Sequence, residues 1–174
     1  MALKILIPLP KTGFDPTETG IPWCKLVEEG HQVTVATPDG QMAEVDERVR
    51  RGNDLKFAKG ILMADYRGRT AFEEFESSEE FENPISYADI TPFEYDGLSL
   101  PGGHAPGMKA YLESPYLQKI VAWMMDVNRP VGAICHGVVL AARSRSSQTG
   151  KSVLFGRRTT ALALAPSSGI RLTT

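Results

Sequence analysis

The chain has 174 residues, of which 42% are hydrophobic and 23% are charged, and its formal net charge is −2. This composition is typical of one globular domain, and no apolar run reaches the roughly 18 to 20 residues that a membrane-spanning helix needs. We therefore expect a single domain over residues 1–174 and no membrane partner. The two cysteines, Cys24 and Cys135, are too few for a secreted disulfide framework.

The charge is distributed unevenly along the chain. All 21 acidic residues lie at or before Asp126, whereas residues 127–174 contain seven Arg or Lys and no acid. These basic residues are scattered, apart from Arg157 and Arg158, and they lack the interleaved aromatic residues that stack on bases. We expect no nucleic-acid partner.

The first part of the chain predicts a strand, a helix and a second strand. "LKILIPL" (3–9) and "HQVTVATP" (31–38) are apolar, β-branched runs, and "IPWCKLVEEG" between them carries apolar residues at helical spacing before Gly30. The N-terminus lacks the small-residue cleavage pattern of a secretory signal, so a cytoplasmic location is expected.

Residues 40–94 are the irregular part of the chain. They contain the basic stretch "ERVRRG" and then "FEEFESSEEFENP", which predicts one or two solvated helices anchored by Phe72, Phe75 and Phe81. An insertion of this length between two strands is a candidate cap over the strand ends.

The later part repeats the alternation of strands and helices. "YDGLSLPGG" (95–103) and "RPVGAIC" (129–135) predict strands, "SPYLQKIVAWMMDVN" between them predicts an amphipathic helix, and "SVLFGRRTT" predicts a last strand. We therefore expect an α/β fold of the flavodoxin-like, doubly wound type, with a mostly parallel sheet and helices on both faces. Ligands of such folds bind at the carboxyl ends of the strands, near residues 10–20, 101–107 and 135–137.

Cys135 lies where a buried strand is predicted to turn into a helix. In "AICHG" the small residues Ala133 and Gly137 flank it at two positions on either side, as the close approach of strand and helix in a nucleophile elbow requires. The N–H groups that begin the next helix favour a thiolate, which is the nucleophilic form. The alternative is a small buried core cysteine.

Two further stretches fall at the same predicted edge of the sheet. "LPGGHAPG" (100–107) places Gly102, Gly103 and His104 after a strand, and the N–H groups of Gly103 and His136 form a candidate oxyanion hole. The phosphate-loop pattern is absent, and His104 is either a pocket residue or a structural histidine. In "FDPTETGIPW" (14–23), Glu18 follows the first strand and precedes a helix that Pro22 helps to start.

The three stretches "DPTE", "LPGGHAPG" and "AICHG" resemble, in this order, the ThiJ/PfpI superfamily of the class I glutamine amidotransferase-like fold. Its relatives include parkinsonism-associated deglycases and heat-shock glyoxalases. The resemblance covers residues 3 to about 160 and implies that Cys135 is the nucleophile, that His136 is its partner, and that Glu18 contacts the sulfur. To donate a hydrogen bond to a thiolate, Glu18 must be protonated and therefore have a raised pKa.

The chain departs from the family pattern in two ways. A triad usually ends in an acid downstream of the Cys-His pair, and no acid follows Asp126. Three alternatives follow. A backbone carbonyl or an earlier acid orients His136, a partner chain supplies the orienting group, or catalysis is weak. The ending "ALALAPSSGIRLTT" also departs from the family and indicates a shortened natural variant or a reading frame altered near residue 162.

Three functions are compatible with these residues. The first is glutathione-independent glyoxalase or deglycase chemistry, in which Cys135 adds to methylglyoxal and Glu18 or His136 transfers a proton until lactate is released. The second is a cysteine amidase or peptidase of the PfpI type, and the third is a non-enzymatic stress-response protein with a redox-sensing cysteine or a chaperone surface. The expected substrate is a small carbonyl or amide compound, without a cofactor. No bound metal is expected, because no CxxC or HxxxH spacing is present, and the family implies a homodimer.

Overall fold

The computed structural model describes residues 1–52 and 63–160. Its strands are β1 (Lys4–Pro8), β2 (Thr12–Phe14), β3 (Gln32–Thr37), β4 (Glu44–Val45), β5 (Ile85–Ser86), β6 (Gly97–Leu100) and β7 (Val131–Ala133). Its α-helices are α1 (Pro16–Glu28), α2 (Glu47–Arg51), α3 (Tyr66–Glu76), α4 (Glu79–Glu82), α5 (Met108–Leu112), α6 (Pro115–Asp126) and α7 (Gly137–Arg143). Within these ranges, no helix has the length and apolar character that crossing a membrane requires.

The main sheet has five parallel strands in the order β5-β3-β1-β6-β7. β1 lies in the middle, with Leu6 opposite Thr34 of β3 on one side and Leu98 of β6 on the other. Parallel neighbours need crossover connections, and the helices between the strands provide them. The predicted α/β fold with a mainly parallel sheet flanked by helices is confirmed.

The strand order brings distant segments of the chain together at one edge. Because β1, β6 and β7 are parallel neighbours, the residues that follow them all leave the sheet at the same end. The three segments expected to carry function, which follow these three strands, therefore meet in space.

Helix α1 begins earlier than the sequence interpretation expected. It starts at Pro16 and is capped by Asp15, whose carboxylate accepts hydrogen bonds from the backbone nitrogens of Thr17 and Glu18. Pro22 lies inside the helix rather than at its start. The expectation for Pro22 was wrong because the buried N-cap and the proline at the first helical position determine where the helix starts.

The segment 40–94 contributes to the sheet and its helical layer. Its β4 pairs with β2 in a separate two-stranded sheet, its β5 forms an edge of the main sheet, and α3 packs along α1. Phe72, Phe75 and Phe81 are buried as expected, and the rings of Phe75 and Phe81 lie 5.0 Å apart. Residues 53–62 of the candidate cap lie outside the described residues.

The predicted last strand is absent from residues 152–160. This stretch forms turns and a single isolated bridge between Arg145 and Ser152. Gly156, with φ +76°, and the polar residues around it favour turns over a continuous ladder. The unusual C-terminal ending from residue 161 onward lies outside the described residues.

The packing of α1 on α3 depends on two glycines and generates a stability prediction. A Cβ on Gly20 would lie 2.7 Å from the Phe72 backbone nitrogen, whereas one on Gly68 would meet only the Thr17 side chain. Gly20→Ala should lower the free energy of unfolding by about 1–3 kcal/mol, measured by urea denaturation, because backbone must move.

A matched variant provides the control. Gly68→Ala should also be destabilising, but Thr17→Ala should largely rescue it by removing Oγ1 and Cγ2, the two Thr17 atoms closest to the new methyl group. A Gly20→Ala protein as stable as the wild type would contradict the close helix contact.

Candidate active site

Cys135 occupies a sharp turn between β7 and α7. Its φ of +48° is in the left-handed region, which a non-glycine residue adopts only at an energetic cost of order 1–3 kcal/mol. A Cβ on Gly137 would collide with the Leu100 carbonyl oxygen and lie 2.9 Å from the Pro101 oxygen. The close approach of strand and helix expected for a nucleophile elbow is present, and strain is concentrated at the sulfur-bearing residue.

Two backbone hydrogen bonds connect the start of α1 to the turn after β6. The Asp15 nitrogen donates to the Gly102 oxygen over 3.0 Å, and the Gly102 nitrogen donates to Glu18 Oε2 over 2.9 Å. Glu18 is therefore oriented by a backbone group of a different segment. We call this pair of hydrogen bonds the Asp15–Gly102 clip.

Sequence reasoning missed the role of Asp15. The spacing of Asp15 and Glu18 is that of a capping box, in which the acid at the third helical position reaches back to the N-cap nitrogen. In the structure the Asp15 nitrogen instead bonds to Gly102, and the Glu18 carboxyl turns to the same residue. The D-x-x-E pattern was the sequence signal that could have identified Asp15 as the N-cap. Tertiary contacts direct the glutamate of this pattern, Glu18, to Gly102 instead of to the N-cap nitrogen.

The Glu18 carboxyl is shifted toward its neutral form. Burial and the nearby negative charge of Asp15 raise its pKa from 4.5 to about 7, while hydrogen bonds from Gly102 and Cys135 act in the opposite direction. Glu18 can consequently bind or release a proton near neutral pH, which agrees with the raised pKa expected for this residue.

The Cys135 thiol also has a raised pKa, so its neutral form is favoured. Burial and the Glu18 charge raise its pKa to about 11, although the His136 backbone N–H acts to lower it. The N–H groups at the start of the helix favour the thiolate, as expected, but burial and the Glu18 carboxylate act more strongly in the opposite direction. Because the Glu18 pKa is about 7 and the thiol pKa is about 11, the thiol is protonated near neutral pH and the Glu18 carboxyl is divided between its neutral and charged forms.

His136 contacts the sulfur and the turn after β6. Its Nδ1 lies 3.4 Å from Cys135 Sγ. Burial and the neighbouring His104 lower its pKa, whereas a hydrogen bond to the Gly103 backbone raises it. A backbone group thus orients the imidazole, which is one of the alternatives expected from the acid-free tail.

His104 lies on the solvent side of the sulfur. Its Nε2 is 3.9 Å from Cys135 Sγ, and its ring meets that of His136 edge to face at 5.1 Å between centroids. His104 is exposed, whereas Cys135 and His136 are half-buried. Of the two alternatives for His104, this position favours a pocket residue.

Gly102, expected in the pocket turn, positions the acid, because its N–H donates to Glu18 Oε2. The N–H groups of Gly103 and His136 stay the predicted donors for an oxyanion.

Comparison with known proteins shows the family of the chain. A sequence profile described as ThiJ/PfpI family-like matches residues 9–164. The chain belongs to the ThiJ/PfpI family. It is 25% identical to the deglycase PfpI of Pyrococcus furiosus over 154 residues, which cover 87% of this chain and 73% of that protein.

Two further similarities have lower coverage of the other protein. An uncharacterised protein of Schizosaccharomyces pombe is 34% identical over 122 residues, covering 69% of this chain and 44% of the relative. The crystal structure of glyoxalase III from Candida albicans superposes with a TM-score of 0.62 at 21% identity, covering 87% of this ThiJ/PfpI chain and 64% of that one. The chain thus spans less than half of the S. pombe relative and about two thirds of the glyoxalase.

The crowded position of Gly102 generates a first prediction about the site. A Cβ there would lie 2.6 Å from Glu18 Oε2 and 2.8 Å from the His136 nitrogen. Gly102→Ala should displace both groups and lower the free energy of unfolding by about 1–3 kcal/mol, measured by urea denaturation.

Gly132→Ala is the matched control, because a Cβ on Gly132 meets only the Leu98 oxygen at 3.9 Å. This variant should leave stability unchanged or raise it by up to about 1 kcal/mol through lower chain entropy in the unfolded state. Equal effects of the two substitutions would contradict the crowding at Gly102.

The raised pKa of Glu18 generates a second prediction about the site. Because the folded protein favours the neutral acid, the contribution of Glu18 to stability is fully present below pH 4.5 and is lost as the pH rises to about 7. Glu18→Gln should therefore be more stable than the wild type at pH 8, by about 1–2 kcal/mol after allowance for solvent screening.

Urea denaturation at several pH values measures this difference. It should shrink toward zero near pH 4, where both side chains are neutral. Parallel stability profiles of the two proteins across this range would show that Glu18 titrates at its ordinary pKa.

Proposed function

We propose that the protein is a cysteine-dependent enzyme that converts a small α-oxoaldehyde such as methylglyoxal to the hydroxy acid lactate without glutathione. The observation that carries this proposal is a cysteine at the strand-to-helix turn beside an acid whose pKa is about 7: the Gly102 N–H holds the Glu18 carboxyl, whose charge raises the pKa of the Cys135 thiol. An acid–base group with a pKa near the working pH is suited to moving protons on and off carbon.

The first step needs a thiolate, and Glu18 supplies the route for the proton. The thiol proton passes to the Glu18 carboxylate, which removes the like charge that raises the pKa of the sulfur. The sulfur then attacks the aldehyde carbon and a carbon–sulfur bond forms. The aldehyde oxygen takes the proton from Glu18 to give a hemithioacetal, which returns Glu18 to the carboxylate form.

The second step is an internal isomerisation. A base removes the proton from the carbon that carries the sulfur, and the former ketone oxygen takes up a proton to give an enediol. A proton is then added to the neighbouring carbon while the hydroxyl on the sulfur-bearing carbon loses its proton and becomes the thioester carbonyl. The hemithioacetal becomes a hydroxyacyl thioester, so one carbon is oxidised, its neighbour is reduced, and no external oxidant is needed. We assign this transfer to Glu18, because its carboxyl is fixed beside the sulfur by the Gly102 nitrogen.

The last step is hydrolysis of the thioester. Water attacks the acyl carbon, the carbon–sulfur bond breaks, and lactate and the Cys135 thiol are released. The net reaction adds one water to methylglyoxal. His136, with Nδ1 at 3.4 Å from the sulfur, is positioned to return the proton to the leaving thiolate.

The relatives support this direction of chemistry. The matching proteins include one named a deglycase and a structure named glyoxalase III. Both names imply action on carbonyl compounds or their adducts, which is the class of substrate that a thiolate beside a proton-transferring carboxyl would accept.

The structure favours this reaction over the other two hypotheses. Amide cleavage relies on an imidazolium stabilised by a carboxylate, whereas His136 is oriented by the Gly103 backbone. Redox sensing relies on a thiolate that oxidises readily, and the raised pKa of Cys135 keeps the sulfur protonated in the resting state.

Lactate formation from methylglyoxal in the absence of glutathione tests the proposal. The wild type should turn over, Cys135→Ser should lower kcat/KM by at least roughly a thousandfold, and Glu18→Gln should lower kcat by roughly 100-fold or more. Cys24→Ser is the matched control, because Cys24 contacts Ala71 and Glu74 away from Cys135 and should leave the rate unchanged.

A fluorogenic peptide assayed in parallel separates the alternatives. Cleavage of the peptide without lactate formation would favour the amidase. Activity on neither substrate would refute both enzymatic hypotheses, and lactate formation unaffected by Cys135→Ser would refute the mechanism.

A further inference from the structure

Three potential metal ligands converge at the mouth of the site. Cys135 Sγ, a ring nitrogen of His104 and a ring nitrogen of His136 all lie within 4.8 Å of one another. All three are possible ligands by residue type, but no metal site was expected, because they come from the turn after β6 and from the elbow rather than from a CxxC or HxxxH motif.

The distances fit a tetrahedral centre. Zinc binds thiolate sulfur at about 2.3 Å and imidazole nitrogen at about 2.0–2.1 Å, so its ligand atoms lie about 3.3–3.6 Å from one another. The sulfur is 3.4 Å from His136 Nδ1 and 3.9 Å from His104 Nε2. The distance from the sulfur to His136 is already in this range. The sulfur and the exposed His104 ring need to approach each other by a few tenths of an ångström.

The surroundings favour a cation as well. The His136 ring bonds to the Gly103 backbone, the type of contact that commonly orients a metal-bound imidazole. The Glu18 carboxyl adds an acidic group near the sulfur, and the more distant Asp15 adds negative charge. Because His104 is exposed, an ion can enter from solvent, and a water molecule can take the fourth position.

We propose that Cys135, His104 and His136 form a binding site for a borderline-soft divalent ion, Zn²⁺ in particular. One sulfur and two imidazole nitrogens select zinc over magnesium or calcium, which prefer oxygen ligands. On binding, a zinc–sulfur bond forms and the thiol proton is released to solvent, with no change of oxidation state. A sulfur bound to zinc cannot attack an aldehyde, so zinc acts as a reversible inhibitor of any reaction that uses this thiol.

Cobalt(II) is the probe for this site, because its spectrum reports both the ligands and the geometry. Titration of the reduced full chain with Co²⁺ should produce one equivalent of a complex with a sulfur-to-cobalt charge-transfer band and the intense visible bands of a four-coordinate ion. Zn²⁺ should displace the cobalt and remove these bands.

Variants separate this site from other sources of binding. Cys135→Ser should abolish the charge-transfer band, and His104→Ala, at an exposed position, should weaken Co²⁺ binding by at least roughly tenfold. Cys24→Ser and His31→Asn are the matched controls for the other thiol and the other histidine, and both should bind cobalt as the wild type does.

Three results would overturn the proposal. They are absence of a stoichiometric complex, a charge-transfer band that persists in Cys135→Ser, and a band that disappears in Cys24→Ser. Because the readout is spectroscopic, it is independent of whether the protein converts methylglyoxal.

Discussion

The Asp15–Gly102 clip is the interaction on which the rest of the site depends. One hydrogen bond connects the Asp15 nitrogen to the Gly102 oxygen, and its companion directs the Glu18 carboxyl to the Gly102 nitrogen. Without it, the first turn of α1 and the turn after β6 would be two separate loops. With it, an acid from the start of the chain faces a sulfur more than a hundred residues later, and the absence of a side chain at Gly102 leaves room for both.

The electrostatic environment of Cys135 does not fit the simple view that the N-terminus of a helix lowers the pKa of a cysteine. α7 supplies backbone N–H groups, but the carboxylate and burial push the thiol toward its protonated form. The consequence is a protonated resting thiol beside a carboxyl that titrates near neutral pH, rather than a permanently charged nucleophile. The Glu18 carboxylate can accept the thiol proton when the sulfur attacks a substrate, pass it to the substrate oxygen, and then act on carbon.

The exposed histidine gives the site a second chemical character. With His104 and His136 on either side, the sulfur lies among nitrogen ligands as well as beside an acid. The nucleophile of a carbonyl reaction and the anionic ligand of a soft metal need the same deprotonated sulfur. Reaction and metal binding therefore compete for one atom, and the accessible concentration of zinc would decide how often the thiol is free.

The sequence by itself determined the α/β alternation, the elbow at Cys135, the glycine turn and the acid of the first loop, because periodicity and small residues are local signals. It did not reveal the start of α1 at Pro16, the role of Asp15 or the absence of a strand from residues 152–160, since these depend on capping and long-range hydrogen bonds. Only the tertiary structure decided which backbone group orients His136 and how far burial raises the pKa values of Glu18 and Cys135. It also decided that His104 lies beside the Cys135 sulfur. Distances between segments and the loss of solvent around charges are properties of the folded chain, and no local pattern encodes them.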